Sequence, residues 1–224
     1  MIKSVVWSTM LDYPQHISTT LFIGQCSWDC DFCHNKPLIK QKNINFKKDV
    51  LPKLIKRKNF IDHIVISGGE CTEWSGISDL IKELCMNGFT VGIHTNGNKP
   101  MVLNEILPYL SYVGMDIKTS EEKYNLITNK EVKYLRILES IELILDANIQ
   151  YEFRTTVYPK FVNAEDCIEI AKVLKSFNVT EYILQQFESK NLSDCDVKPY
   201  SVKELKDIKN KCNKIIKTTI KGEF

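Results

Sequence analysis

The chain has 224 residues, 43% of them hydrophobic. That suffices for one sizeable core, and because an α/β barrel of about 200 to 250 residues is usually one domain, residues 1–224 are read as a single domain. Lys+Arg 30 against Asp+Glu 28 leave a formal net charge of +2, which excludes the electrostatic footprint of a nucleic-acid binder, and no apolar run approaches the ~20 residues of a membrane span. With an N-terminus that is polar by its eighth residue and lacks a signal-peptide core, the expected location is the cytoplasm.

Strand-like and helix-like segments alternate along the chain. HISTTLFIG (16–24) reads as a strand that ends at a cysteine-rich loop, FKKDVLPKLIKR (46–57) as a helix, HIVISGG (63–69) as a buried strand and ISDLIKELCMNG (77–88) as a helix closed by Gly88. TVGIHTNG (90–97), a helix over 101–110 and YVGMDIK (112–118) follow. A long helix over 130–147 is expected to place Val132, Leu135, Leu138, Ile141 and Leu145 on one face. YEFRTTVYP (151–159), a helix from about Asn163 to Phe177, EYILQQF (181–187) and a final helix opening with the capping box Ser201…Glu204 complete six β-α units. The basic residues Lys47, Lys48, Lys53, Lys56 and Arg57 fit the solvated face of a helix, and 36–46, 119–129 and 188–200 are the longest irregular stretches.

Short apolar strands separated by amphipathic helices predict a parallel sheet covered by helices. Six units fit either an open doubly wound sheet or an incomplete barrel, and in both the function sits at the carboxyl ends of the strands. The unusual polar residues gather there: the cysteine loop after the first strand, Gly68, Gly69 and Glu70 after the second, His94, Thr95 and Asn96 at the third, Asp116 and Lys118 at the fourth.

Cys26, Cys30 and Cys33 lie within eight consecutive residues, with no fourth cysteine close by. A structural zinc site wants four protein ligands and a catalytic zinc normally mixes in His or carboxylate. Three cysteines fit a four-iron four-sulfur cluster instead, with one iron left open. Cys85, Cys167 and Cys212 fall on apolar helix faces and read as small core residues; Cys71 and Cys195 stay open.

C-x3-C-x2-C with Phe32 before the last cysteine resembles the signature of the radical S-adenosylmethionine (SAM) superfamily. The stretches LDYPQHISTTLFIGQCSWDCDFCHNKPLI, ISGGECT, IHTNG, VGMDIKTSEEKYNLIT, YEFRTTVYPKF and ILQQF follow in order, with spacing similar to that of the small activating proteins of anaerobic ribonucleotide reductase, relatives of pyruvate formate-lyase activating enzyme. The resemblance implies an incomplete (β/α)6 TIM-like barrel. It implies that Cys26, Cys30 and Cys33 hold a [4Fe-4S] cluster whose open iron chelates S-adenosyl-L-methionine, so that the missing fourth ligand is the cosubstrate. It also implies cosubstrate contacts from Phe32 near the adenine, from Gly68, Gly69 and Glu70 at the methionine end, and from Thr95, Asp116, Lys118 and Arg154. Gln185 and Gln186 border the adenine pocket in this reading, and periodicity does not say which faces inward. His34 and Asn35 are expected to order the loop.

The implied reaction is reductive cleavage of S-adenosylmethionine to a 5′-deoxyadenosyl radical that abstracts hydrogen from a glycine of a partner, most directly anaerobic ribonucleotide reductase, with a flavodoxin- or ferredoxin-type electron donor. The other readings are a radical enzyme acting on a small molecule, similar to 7-carboxy-7-deazaguanine synthase, and a zinc-binding module. Two positions depart from the family pattern. Cys71 replaces a proline, which is expected to loosen its turn without removing its hydrogen bonds, and His94 replaces an aspartate that helps hold a monovalent cation, which puts that ion site in doubt.

Overall fold

The computed structural model describes residues 1–189 and 197–222. In chain order the elements are β1 (Ile2–Thr9), β2 (Ser18–Ile23), α1 (Lys36–Ile39), α2 (Leu51–Arg57), β3 (His63–Gly68), α3 (Ile77–Met86), β4 (Thr90–Thr95), α4 (Pro100–Ile106), β5 (Tyr112–Asp116), α5 (Tyr124–Thr128), α6 (Tyr134–Asp146), β6 (Gln150–Val157), α7 (Ala164–Ser176), β7 (Glu181–Gln186), α8 (Val202–Cys212) and β8 (Lys217–Lys221). The eight strands form one sheet in sequential order. β1 runs antiparallel to β2, and every pair from β2 to β8 is parallel. The sheet does not close, so the architecture is a partial TIM barrel.

Alternation along the strands separates two cores. On β3, Ile64 and Ile66 belong to the large apolar cluster that also takes in Leu80, Leu84, Ile141 and Leu174 from the helices. Val65, between them, points into the barrel and meets Tyr13 and Tyr112 in a small separate cluster. Capping boxes start two of the covering helices: the Asn163 side chain and Asp166 at α7, and Ser201 with Glu204 at α8.

The six expected strands and six expected helices are present, and the structure adds to them. β1 and β8 lie at the sheet edges; β8, KTTIK, carries lysines at both ends and buries only Thr218 deeply, a composition suited to an edge strand and poor in the apolar signal used to find strands. α1 and α5 lie inside two of the stretches expected to be irregular. The third such stretch, with Cys195, lies largely outside the described residues.

The expected face of α6 is wrong. Ile137, Ser140, Ile141 and Ile144 are buried, whereas Leu135 is 77% exposed and Val132 precedes the helix. Positions 132, 135, 138 and 141 are linked in steps of three, and each such step falls about 60° short of a full helical turn, so the linked positions drift to the opposite side.

Candidate functional site

A cavity of about 200 Å³ lies at the carboxyl ends of β2 to β6 and is lined by all three loop cysteines and by Phe32, Gly68, Gly69, Glu70, Thr95, Asp116, Lys118 and Arg154. The structure therefore brings the three cysteines and the eight expected cosubstrate residues to one place, while Gln185 and Gln186 line a neighbouring cavity.

The cysteine loop is held on three sides. At α5, Asp29 N–H donates to Thr128 O at 3.0 Å, and Asn129, in the left-handed conformation (φ 52°), donates from Nδ2 to Asp29 O and Asp31 Oδ1, each at 2.9 Å. Beyond β6, Lys160 Nζ reaches Asp31 Oδ2 at 2.7 Å. On the β3 side, Glu73 Oε2 accepts from Ser27 N–H at 2.6 Å, Gln25 Nε2 donates to Glu73 O at 2.9 Å, and Asn35 Nδ2 donates to Gly68 O. Trp28 packs edge-on against Tyr124, whose hydroxyl accepts from Lys118 N–H at 3.0 Å. The sequence alone does not point to the Glu73, Tyr124, Asn129 and Lys160 contacts. Asn129 carries the one local signal, an asparagine where a short helix ends.

Burial pushes the Cys26 thiol up to about 12, opposed by a hydrogen bond from the Trp28 backbone and reinforced by the carboxylates of Glu70 and Glu73. Burial pushes Cys30 up to about 11, with Lys118 working against it. Among the described residues no three His, Cys, Asp or Glu side chains converge as a single-ion chelate. Three free thiols lining one wall, two of them disfavoured as thiolates by burial, suit a cationic iron centre that removes the cost of their ionisation.

The neighbouring turn is built to fit tightly. Gly68 has φ 111°, and a Cβ on either glycine would strike backbone of Ile23 or Gln25, so the pair lets the turn lie against the start of the cysteine loop. Glu70 is 1% exposed. Its Oε1 accepts from Thr72 N–H at 3.1 Å, Thr72 Oγ1 at 2.6 Å and Thr95 Oγ1 at 2.7 Å, and its Oε2 from Asn96 N–H at 2.6 Å. Burial drives its pKa upward against those four bonds. The carboxylate thus ties the end of β3 to the end of β4. The turn keeps its hydrogen bonds with cysteine at 71: residues Cys71–Glu73 form a 3-10 turn, and the Cys71 thiol donates to His94 O at 3.4 Å.

Opposite the cysteines lies a charge cluster. Asp116 Oδ1 accepts from Arg154 Nε at 2.9 Å and lies 2.9 Å from Nη2, while Lys118 Nζ donates to Asp116 Oδ2 at 3.1 Å. Burial works against the aspartate charge, but Arg154 and Lys118 outweigh it and hold the carboxyl well below its usual range. Lys118 Nζ also stands 5.7 Å from the centroid of the Phe32 ring, which rests at 5.1 Å against Tyr158.

His94 joins this cluster. Its Nε2 is 3.0 Å from Asp12 O and 3.2 Å from Arg154 Nη1, and its Nδ1 is 3.2 Å from Ser67 Oγ. A carbonyl can only accept and a guanidinium can only donate, so Nε2 serves one of them at a time: pairing with Asp12 puts the proton on Nε2 and lets Nδ1 accept from Ser67, whereas accepting from Arg154 puts the proton on Nδ1, which then donates to Ser67 Oγ. Burial, then the Arg154 charge, lowers its pKa to about 3. Position 94 therefore offers neutral nitrogens beside a guanidinium, with no oxygen from its side chain for a cation.

The sheet register decides between the two glutamines. Gln185 pairs with Thr156, which lines the cavity, and so shares its inward face; Gln186 Nε2 instead donates to Tyr200 O at 3.0 Å.

Comparison with known proteins accounts for this arrangement. The model of the radical SAM superfamily matches residues 20–184. The chain belongs to that superfamily. It is a radical SAM enzyme, and members of the superfamily use a [4Fe-4S] cluster and S-adenosylmethionine. A Methanocaldococcus jannaschii protein named as a glycyl-radical enzyme activating enzyme is 30% identical over 240 residues, spanning 100% of this chain and 98% of that one. A second protein of the same organism and the same description is 29% identical over 178 residues, covering 73% of this chain and 67% of its own. Among solved structures, Streptococcus suis SuiB bound to the precursor peptide SuiA shares the fold with a TM-score of 0.71 at 16% identity, over 89% of this chain and 47% of SuiB. A domain of pyruvate-formate lyase-activating enzyme from Bacteroides vulgatus gives 0.58 at 18% identity, over 70% of this chain and 98% of that domain.

Proposed function

We propose that this radical SAM enzyme is an activase that installs a glycyl radical on a partner protein, anaerobic ribonucleotide reductase being the specific candidate. The observation that carries the activase reading is the relationship, over the whole chain, to a protein named as a glycyl-radical enzyme activating enzyme. A second feature supports a macromolecular substrate. A cavity of about 570 Å³ opens beside the first and shares His34, His94, Asp116, Arg154 and Thr156 with it. Its banks are the β1–β2 turn, with Leu11 and Asp12, and the β7–β8 end of the sheet, with Gln185, Glu188 and Lys221. Those are the two ends that do not pair, so a partner's loop can enter through the gap of the open sheet.

In this reading Cys26, Cys30 and Cys33 hold the cluster. When bound, it supplies the electron that cleaves S-adenosylmethionine to methionine and a 5′-deoxyadenosyl radical. Asp116, Lys118 and Arg154 provide a fixed, nearly balanced charge array for the cosubstrate's own opposite charges, Gly68, Gly69, Glu70 and Thr95 shape the wall beside the cysteines, and Phe32 offers an apolar ring for the adenine. We place residues 1–224 in one domain in the cytoplasm. No helix among the described residues is long and apolar enough to cross a membrane. A flavodoxin- or ferredoxin-type protein is the proposed electron donor.

The test is isotopic. Reduced enzyme and S-adenosylmethionine are mixed with reductase carrying deuterium on the α-carbon of its glycines, and the label is expected in 5′-deoxyadenosine together with a glycine-centred paramagnetic signal. Label drawn from a small metabolite over many turnovers, with no protein radical, overturns the activase reading.

A further inference from the structure

Glu73 holds the β3 side of the cysteine loop, but its charge has no role above. It lies three residues after Glu70, at the end of the 3-10 turn Cys71–Glu73, and its carboxylate turns away from that turn toward the cysteine loop. There Oε2 accepts from Ser27 N–H at 2.6 Å and Oε1 accepts from Ser27 Oγ. The Glu73 carbonyl accepts from Gln25 Nε2 at 2.9 Å. The two residues that flank Cys26 are therefore both tied to Glu73. No Lys or Arg among the described residues is paired with this carboxylate in an ion pair, in contrast to Asp29 and Asp31, the other acids of the loop, which are paired with Lys36 and Lys160.

We propose that Glu73 is a positioning residue that also acts through its charge: it fixes the Cys26 end of the loop, and its uncompensated negative charge beside Cys26 lowers the reduction potential of the iron–sulfur cluster. The inference rests on the assignment of Cys26, Cys30 and Cys33 as the cluster ligands, and goes beyond it. Adding an electron to a cluster held by three thiolates makes an anionic centre more anionic, so a nearby carboxylate disfavours the reduced form. Cys26 is half-buried and the Glu73–Ser27 contact is exposed, so water and salt screen part of that effect. Glu70 differs from Glu73 because its carboxylate is consumed by four bonds to Thr72, Thr95 and Asn96 and holds the turn rather than the loop.

The test uses the full-length holoprotein reconstituted with iron and sulfide, and reads iron and sulfide content together with a potentiometric titration followed by electron paramagnetic resonance, without cosubstrate. Glu73→Gln keeps an acceptor for Ser27 and removes the charge. It is expected to retain the full cluster content and to shift the midpoint potential in the positive direction. Ser27→Ala removes one hydrogen bond and leaves the charge and the Ser27 N–H, and is expected to leave the potential unchanged. Glu73→Ala removes both functions and is expected to lose part of the cluster. An unchanged potential in Glu73→Gln overturns the electrostatic role, and so does a shift of equal size in Ser27→Ala, which would place the effect in loop geometry. Loss of the cluster in Glu73→Gln overturns the proposal as well, because the amide should suffice for positioning. If instead alanine at Cys26 leaves the cluster intact, it is the ligand assignment that fails.

Discussion

Asp116 and Arg154 are register partners on the adjacent parallel strands β5 and β6, and two guanidinium nitrogens of Arg154 reach one carboxylate oxygen of Asp116 at 2.9 Å. Sheet pairing thus places the pair, and Lys118 closes the other oxygen. Arg154 is 4% exposed, so removing the carboxylate leaves a buried cation whose remaining counter-charge is Glu152 Oε2, 3.9 Å from Nη1. Asp116→Asn is expected to destabilise the apoprotein by about 3 kcal/mol in urea unfolding. A loss below ~1 kcal/mol would show that water entering the cavity solvates Arg154 as well as Asp116 does.

The neutral His94 gives the fold a pH dependence. A free histidine titrates near 6.5, and in the folded protein this one is lowered to about 3, so between those values the unfolded chain binds the extra proton. Its contribution is fully present above pH 6.5 and is lost as pH falls toward 3. At pH 5 the loss relative to pH 7 is ~2 kcal/mol for a shift of this size. Replacing His94 by glutamine, which cannot titrate, should remove this part of the slope; identical pH profiles of urea midpoints in the two proteins would mean that the imidazole becomes protonated in place.

Cys26→Ala, Cys30→Ala and Cys33→Ala should each abolish reconstitution of the cluster, measured as bound iron and sulfide per chain. Cys167 and Cys212 are fully buried in the large core, on α7 and α8, and alanine at either should leave the iron content intact and cost on the order of 1 kcal/mol through the small void created. A scattered cysteine whose replacement empties the cluster would remove the assignment based on the loop.

The legible parts of the molecule are those where chemistry is local. Three cysteines in eight residues, glycines beside a buried acid, and a charged pair two apart on an apolar strand all announce themselves in the sequence, and the fold gathers them at one cavity. What stays hidden depends on contacts between distant segments. Nothing near residue 73 shows that its carboxylate reaches Ser27, and nothing near residue 94 shows that the Asp12 carbonyl and Arg154 fix its ring. β8 is illegible because an edge strand that meets water carries lysine where an inner strand carries isoleucine, and the face of α6 is misread because steps of three drift around a helix. Gln185 and Gln186 can be told apart only once β6 and β7 are in register.

Gly114 tests whether the charge cluster and the cosubstrate wall are one unit. It sits on β5 between His94 of β4 and Glu152 of β6, and a Cβ there would lie 2.7 Å from Tyr112 Oη, 2.9 Å from Arg154 Nη1 and 2.9 Å from His94 Cδ2. Each is closer than real Cβ contacts allow, so Gly114→Ala must push Arg154 or His94 aside, and since Tyr112 Oη is held by Glu152 at 2.9 Å it is not free to yield first. Gly92→Ala is the comparison: the three atoms nearest its Cβ all belong to Tyr112, with Cδ1 at 2.8 Å, and none belongs to Arg154 or His94. Both variants should be less stable by about 1–3 kcal/mol from overpacking. Only Gly114→Ala should also weaken S-adenosylmethionine binding to the reconstituted protein, because only there is the partner of Asp116 displaced. Equal affinity losses in the two variants would mean that the methyl group acts through general loosening of the barrel, and that Arg154 holds its place independently of the residue at 114.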